Sequence, residues 1–160
     1  MLATVETTVQ QSCDFVGTPQ LNLEEWAALL RSTCGGDHEV IKPNAFAGWM
    51  RRLSVYGIAA AAIKIQCGLA AVDHGGNTYR FERTRRDVRL ADADWYCASF
   101  QVAGRSAVTQ NEHTVQLAVG DIGLVDGPRP STRLSDNGSQ WLSIYGVTPR
   151  AFRAGRPRAG

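Results

Sequence analysis

From Val40 to Val147 the apolar positions come in short runs, broken by turn residues about every ten places, and several runs alternate apolar with polar side chains. That rhythm predicts strands joined by tight turns, an all-β sandwich or barrel. The predicted strands cover residues 46–52, 58–72, 79–88, 95–102, 106–110, 114–117, 122–126, 132–135 and 140–147. The joints HGGN (His74 to Asn77), QNEH (Gln110 to His113), VGD (Val119 to Asp121) and SDNGSQ (Ser135 to Gln140) are rich in residues that tolerate positive φ. The alanine tract from Ala59 to Ala62 fits a helix as well as a strand. Its flanks, and the alternation in the KIQ that follows, favour strand.

Ahead of this region the pattern differs. Asn22 stands three positions before Glu25, an N-cap signature, and Trp26, Leu29 and Leu30 fall on one helical face. A short helix from Leu23 to Ser32 follows, ended by Cys34, Gly35 and Gly36. Residues 1–20 are polar and β-branched and read as an arm, residues 21–150 as one barrel domain with its helix, and residues 151–160 as a basic tail.

Within the strands the two faces differ in kind. In WYCASFQV, Tyr96, Ala98, Phe100 and Val102 form an apolar face, opposite Trp95, Cys97, Ser99 and Gln101. In SQWLSIYGV, Leu142 and Ile144 oppose Trp141, Ser143 and Tyr145. A face that mixes aromatics with small polar groups suits a ligand cavity, and a solvent face carrying an exposed tryptophan fits the same letters. The candidate ligand contacts are therefore Trp95, Ser99, Gln101, Trp141 and Tyr145, with Lys64 and Gln66 from the preceding strand. A one-residue slip in register would exchange the faces.

The 160 residues suit a single domain, which at this length buries roughly 70% of its unfolded surface. Cys13, Cys34, Cys67 and Cys97 contain no Cys-x-x-Cys pair, so zinc-ribbon and thioredoxin readings lack their spacing. They read as reduced thiols, some of them core fillers. The N-terminus has no basic region leading into an apolar stretch, and no run approaches the ~18 apolar residues of a membrane span. A cytoplasmic protein with no membrane contact is expected.

A net charge of +2 is too small to argue for nucleic acid, although the arginines cluster. Arg80, Arg83, Arg85, Arg86 and Arg89 are interleaved with Glu82 and Asp87 and read as a solvated strand face. Arg150, Arg153, Arg156 and Arg158 lie in the tail.

Most catalytic templates fail on the letters. LAVGDIGLVDGPRP, residues 117–130, has neither the lysine of a Walker loop nor the spacing of a dinucleotide fingerprint. Pro128 and Pro130 bar the helix that would present an anion site there. Gly120 and Asp121 read as a turn between strands. G-x-S-x-G and H-E-x-x-H are absent, and His38, His74 and His113, far apart in regions read as loops or turn tips, read as surface side chains.

Residues 103–150 carry a more specific pattern: a Gly104-Arg105-Ser106 corner, a strand ending in Gln110, a polar hairpin, the Gly120-Asp121 turn, a strand closing near Asp126, an Arg129-Pro130 corner, and a last hairpin ending in Pro149-Arg150. Upstream, YRFERTRRDVRLADADWYCASFQVAG places an arginine-threonine strand before an Asp-x-Tyr strand. This region resembles the N-terminal cupin-like sensor domain of AraC/XylS-type transcriptional regulators, of the AraC-binding-like subtype, over about residues 40–150. The resemblance implies a mainly β, cupin-like double-stranded β-helix, or jelly-roll barrel, with a short N-terminal helix.

Against the metal-binding cupins, SAVTQNEHTVQL offers only the adjacent Glu112 and His113, so neither a metal nor another cofactor is expected. The regulators continue into a helix-turn-helix module, where this chain has AFRAGRPRAG. The resemblance therefore implies a homodimeric sensor of a hydrophobic or amphipathic small molecule with no direct nucleic-acid binding. The alternative is a stand-alone, metal-independent isomerase or cyclase in a biosynthetic pathway. Its candidate acids and bases are His74, Tyr79, Asp73 and Tyr145, each read more plainly as a turn residue or a strand-face aromatic.

Overall fold

The computed structural model describes residues 14–33, 37–40, 45–55, 58–67, 79–90 and 95–147. Its elements are α1 (Leu23–Thr33), β1 (Asp37–Val40), β2 (Phe46–Val55), β3 (Ile58–Cys67), β4 (Tyr79–Arg83), α2 (Arg85–Leu90), β5 (Tyr96–Ala103), β6 (Ser106–Gln110), β7 (His113–Leu117), β8 (Ile122–Asp126), β9 (Ser131–Ser135) and β10 (Gln140–Val147). Local chemistry starts and stops these elements where the letters allow. Asn22 Oδ1 accepts from the Glu25 amide at 3.0 Å while Glu25 Oε2 accepts from the Asn22 amide at 2.9 Å, a reciprocal cap that opens α1. At the β6–β7 hairpin, Asn111 (φ 52) and Glu112 (φ 66) form the two-residue tip.

The strands form two antiparallel sheets, one ordered β2-β3-β10-β5-β8 and the other β1-β4-β9-β6-β7. They pack face to face as a cupin-type jelly roll. Period-two alternation decides which side chains meet. Trp141 pairs with Ile63 and Gln101, Ser143 with Ala61 and Ser99, and Tyr145 with Cys97, so the mixed face of β5 and β10 points inward. From the other sheet Tyr79, Phe81 and Arg83 of β4 sit opposite Ser135, Arg133 and Ser131 of β9. Trp26 and Leu30 of α1 pack with Phe46, Ile65, Tyr79 and Trp141 in the main core. Hydrogen bonds of 2.8 and 3.0 Å between Leu21 and Gly48 hold the start of α1 against β2.

The outer face of the first sheet is also covered. Ala60, Ala62 and Leu142 form a second buried cluster with Phe15, Leu53, Phe100 and Ile144 around it. The end of the arm thus lies on the barrel, while residues 1–13 fall outside the described residues.

Several predicted boundaries differ from the structure. The strand expected over 79–88 ends at Arg83, because Thr84 and Asp87 bond reciprocally and start α2 instead. Of the strand expected over 58–72, the part from Ile58 to Cys67 is β3, and residues 68–72 fall outside the described residues; the Cys67 amide donates to Asn137 Oδ1 at 2.8 Å. The first predicted strand runs on to Val55. His38, read as a loop residue, belongs to β1 and pairs with Phe81. Among the described residues no helix is long and apolar enough to cross a membrane.

Candidate ligand cavity

Between the sheets lies a cavity of about 90 Å³. Its apolar wall comes from Met50 of β2, Ile63 of β3, Phe81 of β4, Val108 of β6 and Val125 of β8, with Trp26 and Leu30 of α1. Three further aromatic residues are Trp95, just before β5, and Trp141 and Tyr145 of β10, and Trp95 meets Tyr145 edge-on at 5.4 Å between ring centres. Polar groups are few: Ser99, Ser143, the Tyr79 hydroxyl, residues of β9, and two guanidinium groups.

Those guanidiniums dominate the electrostatics. Arg133, 8% exposed, lies with Cζ 4.6 Å from the Trp141 ring centre. Its Nη1 donates to Ser106 Oγ at 3.3 Å and its Nη2 to Ser99 Oγ. Burial pushes its pKa down to about 10, which leaves it a cation at neutral pH. Arg83, 3% exposed, stands 5.2 Å from the Trp95 ring centre and donates from Nη1 to the Gly127 carbonyl at 3.1 Å. Its Nε and Nη2 are buried, with no hydrogen-bond partner among the described residues.

The remaining wall groups are neutral. Burial pushes the Cys97 thiol up, partly offset by its hydrogen bond with Ser143, so it stays protonated at neutral pH. The Tyr79 hydroxyl accepts a 2.9 Å bond from Trp26 Nε1.

Of the residues selected from the sequence, Trp95, Ser99, Trp141 and Tyr145 line this cavity, and so does Tyr79 from the enzyme set. Gln101 is buried beside it, its Nε2 donating to Ala103 O at 2.8 Å and Ser139 Oγ at 3.3 Å. Lys64 and Gln66 alternate with the inward Ile63 and Ile65 and stand on the outer face, where Lys64 Nζ lies 4.9 Å from the Trp49 ring centre. Asp73 and His74 fall outside the described residues. His113 is exposed beside the hairpin tip, as expected of a surface histidine, with Glu112 in the turn itself.

The arginine cluster needs a correction. Arg80, Arg85, Arg86 and Arg89 are exposed, but Arg83 is buried in the cavity wall. Sequence reasoning missed both Arg83 and Arg133. The signal was present in the alternation of YRFER, where Arg83 shares parity with Tyr79 and Phe81, and of STRLS, where Arg133 shares it with Ser131 and Ser135.

Two facing antiparallel sheets closed by a helix, with a small lined cavity between them, define a cupin-type barrel. Among solved structures it is similar to the AraC-like transcriptional activator CuxR, with a TM-score of 0.64 and 12% identity over 86% of this chain and 50% of that one. The chain thus spans about half the length of that regulator. It is also similar to the cupin_2 domain of an XRE family transcriptional regulator from Enterobacter cloacae (TM-score 0.45, 13% identity, 66% of this chain, 99% of that one). A third likeness is to the Schizosaccharomyces pombe Cnp3 cupin domain (TM-score 0.45, 12% identity, 69% of this chain, 72% of that one). No family model matches the chain. The fold is the one that the AraC-type pattern of residues 103–150 implied.

Proposed function

We propose that this barrel is a small-molecule-binding, dimerising sensor domain, similar in role to the effector domain of AraC-type regulators. The observation that carries the reading is the cavity itself: an aromatic-walled space between the sheets with a few convergent polar groups. The fold similarity to an AraC-like activator supports the same role. A hydrophobic or amphipathic ligand bound there acts by favouring one arrangement of the arm or of the dimer interface. The domain makes no DNA contact of its own and uses no cofactor. For the enzyme alternative, two of its four candidates, Tyr79 and Tyr145, line the cavity, and among the described residues no histidine or carboxylate joins them there.

The test is to melt the chain against a panel of small hydrophobic and amphipathic metabolites and recover each compound afterwards. Ligands recovered unchanged that raise the melting temperature are expected, with about 2.7 kcal/mol of stabilisation at a hundredfold excess over Kd. Product formed in molar excess over protein overturns the sensor. Sedimentation showing only monomer, with and without ligand, overturns dimerisation.

A further inference from the structure

Two buried cations stand in the wall of an apolar cavity, and among the described residues no carboxylate forms an ion pair with either. The described ion pairs, Arg80 with Glu82 and Arg129 with Asp126, lie at the surface, and neither involves Arg83 or Arg133. The partners described for these two side chains are neutral: the Gly127 carbonyl and the Trp95 ring for one, two serine hydroxyls and the Trp141 ring for the other. A buried charge without a counter-charge is costly, and a hydrogen bond to a neutral group offsets only part of that cost.

The unsatisfied atoms also have a shape. Nε and Nη2 lie on one edge of the planar guanidinium, and together they form the two-pronged donor that matches the two oxygens of a carboxylate. The third nitrogen, Nη1, is anchored on Gly127 and holds the plane in place.

Resting on the reading of this cavity as a ligand site, we propose that its ligand is a small carboxylate with an apolar body, gripped side-on by the Nε–Nη2 edge of Arg83, with Arg133 as the second positive charge. Size and lining separate this class from larger anions. A space of about 90 Å³ is of the order of the roughly 150 Å³ that holds a benzene ring, so it takes only a small molecule. A nucleotide does not fit, and aromatic and aliphatic walls favour a hydrocarbon body over a second polar end.

The experiment uses the full chain and matched pairs: butyrate, hexanoate and benzoate against butyramide, hexanamide and benzamide, with sodium phosphate as a third arm. Thermal melts and titration calorimetry are read for each. At least one acid is expected to raise the melting temperature, with its amide and phosphate at least tenfold weaker. Arg83→Gln is expected to lower the affinity for that acid at least tenfold. Arg83→Lys, which keeps the charge and loses the fork, is expected to lose most of it as well.

An amide that binds as tightly as its acid overturns the carboxylate assignment and leaves the cavity standing as a ligand site. So does a panel in which only neutral hydrophobic compounds bind. Phosphate binding as tightly as the acids overturns the apolar body. If no compound of any class binds, both this inference and the sensor reading fall. The acid–amide comparison needs only the wild-type chain, so it holds even if the Arg83 variants do not fold.

Discussion

Gly127 joins the cavity's polar and aromatic walls by having no side chain. Its amide donates to the Trp95 carbonyl at 2.8 Å, and its own carbonyl accepts from Arg83. A Cβ added there would meet the Trp95 backbone and come within 2.9 Å of its ring, so the tryptophan could keep its place only by displacing the glycine. Gly127→Ala is therefore expected to destabilise the fold by about 1–3 kcal/mol in urea unfolding, as overpacked sites do. It should also shift the Trp95 emission. An unchanged midpoint would show that the close approach is not needed. The glycines of LAVGDIGLVDGPRP thus have distinct duties: Gly120 (φ 93) makes the turn whose Asp121 amide bonds to Ala118 O at 2.9 Å, and Gly127 makes room.

Among the elements, α2 shows how a few polar atoms can override a strand-like pattern. The Asp87 carboxylate accepts from both the amide and the hydroxyl of Thr84, each at 2.7 Å. Those bonds, the backbone one first, hold its carboxyl below the usual 3.8. A carboxyl whose folded pKa lies below its unfolded one adds stability that is present above the unfolded value and lost as pH falls through the folded one. Acidification below about pH 4 should accordingly fray α2. Amide exchange across 85–90 is the readout, and Asp87→Asn should remove the pH-dependent part. Protection that stays flat through that window contradicts the capping account. A comparable device ties the hairpin to β8: Gln110 Nε2 donates to Asp126 O at 2.8 Å, and Gln110 Oε1 accepts from the Asp126 amide at 2.9 Å.

At the scale of the molecule the sheets share one interior. Trp26 and Tyr79 bond across it, Arg133 of one sheet donates to Ser99 of the other, and the main core draws on both sheets and α1. Neither sheet keeps its inward face buried without its partner, so the barrel should unfold as one cooperative unit. Melts followed by tryptophan fluorescence and by far-ultraviolet circular dichroism are expected to superimpose. Separate midpoints would mean that one sheet survives the loss of the other.

The alternation in WYCASFQV and SQWLSIYGV, the caps at Asn22 and the turn residues of QNEH and SDNGSQ are local features, with causes a few residues apart. For that reason the chain's letters by themselves determined a mainly β barrel with an N-terminal helix, and they picked out four of the cavity's wall residues, Trp95, Ser99, Trp141 and Tyr145. Thr84 and Asp87 were equally legible as a cap, but the alternation around them reads the same way in a strand. Only the tertiary structure decided which face of β3 is interior, sending Lys64 and Gln66 outward, and which arginines are buried. An arginine on a strand is solvated or sealed according to what the opposite wall presents. Here that wall comes from Gly127, 44 residues from Arg83, and Ser99, 34 residues from Arg133, distances over which no local pattern reports.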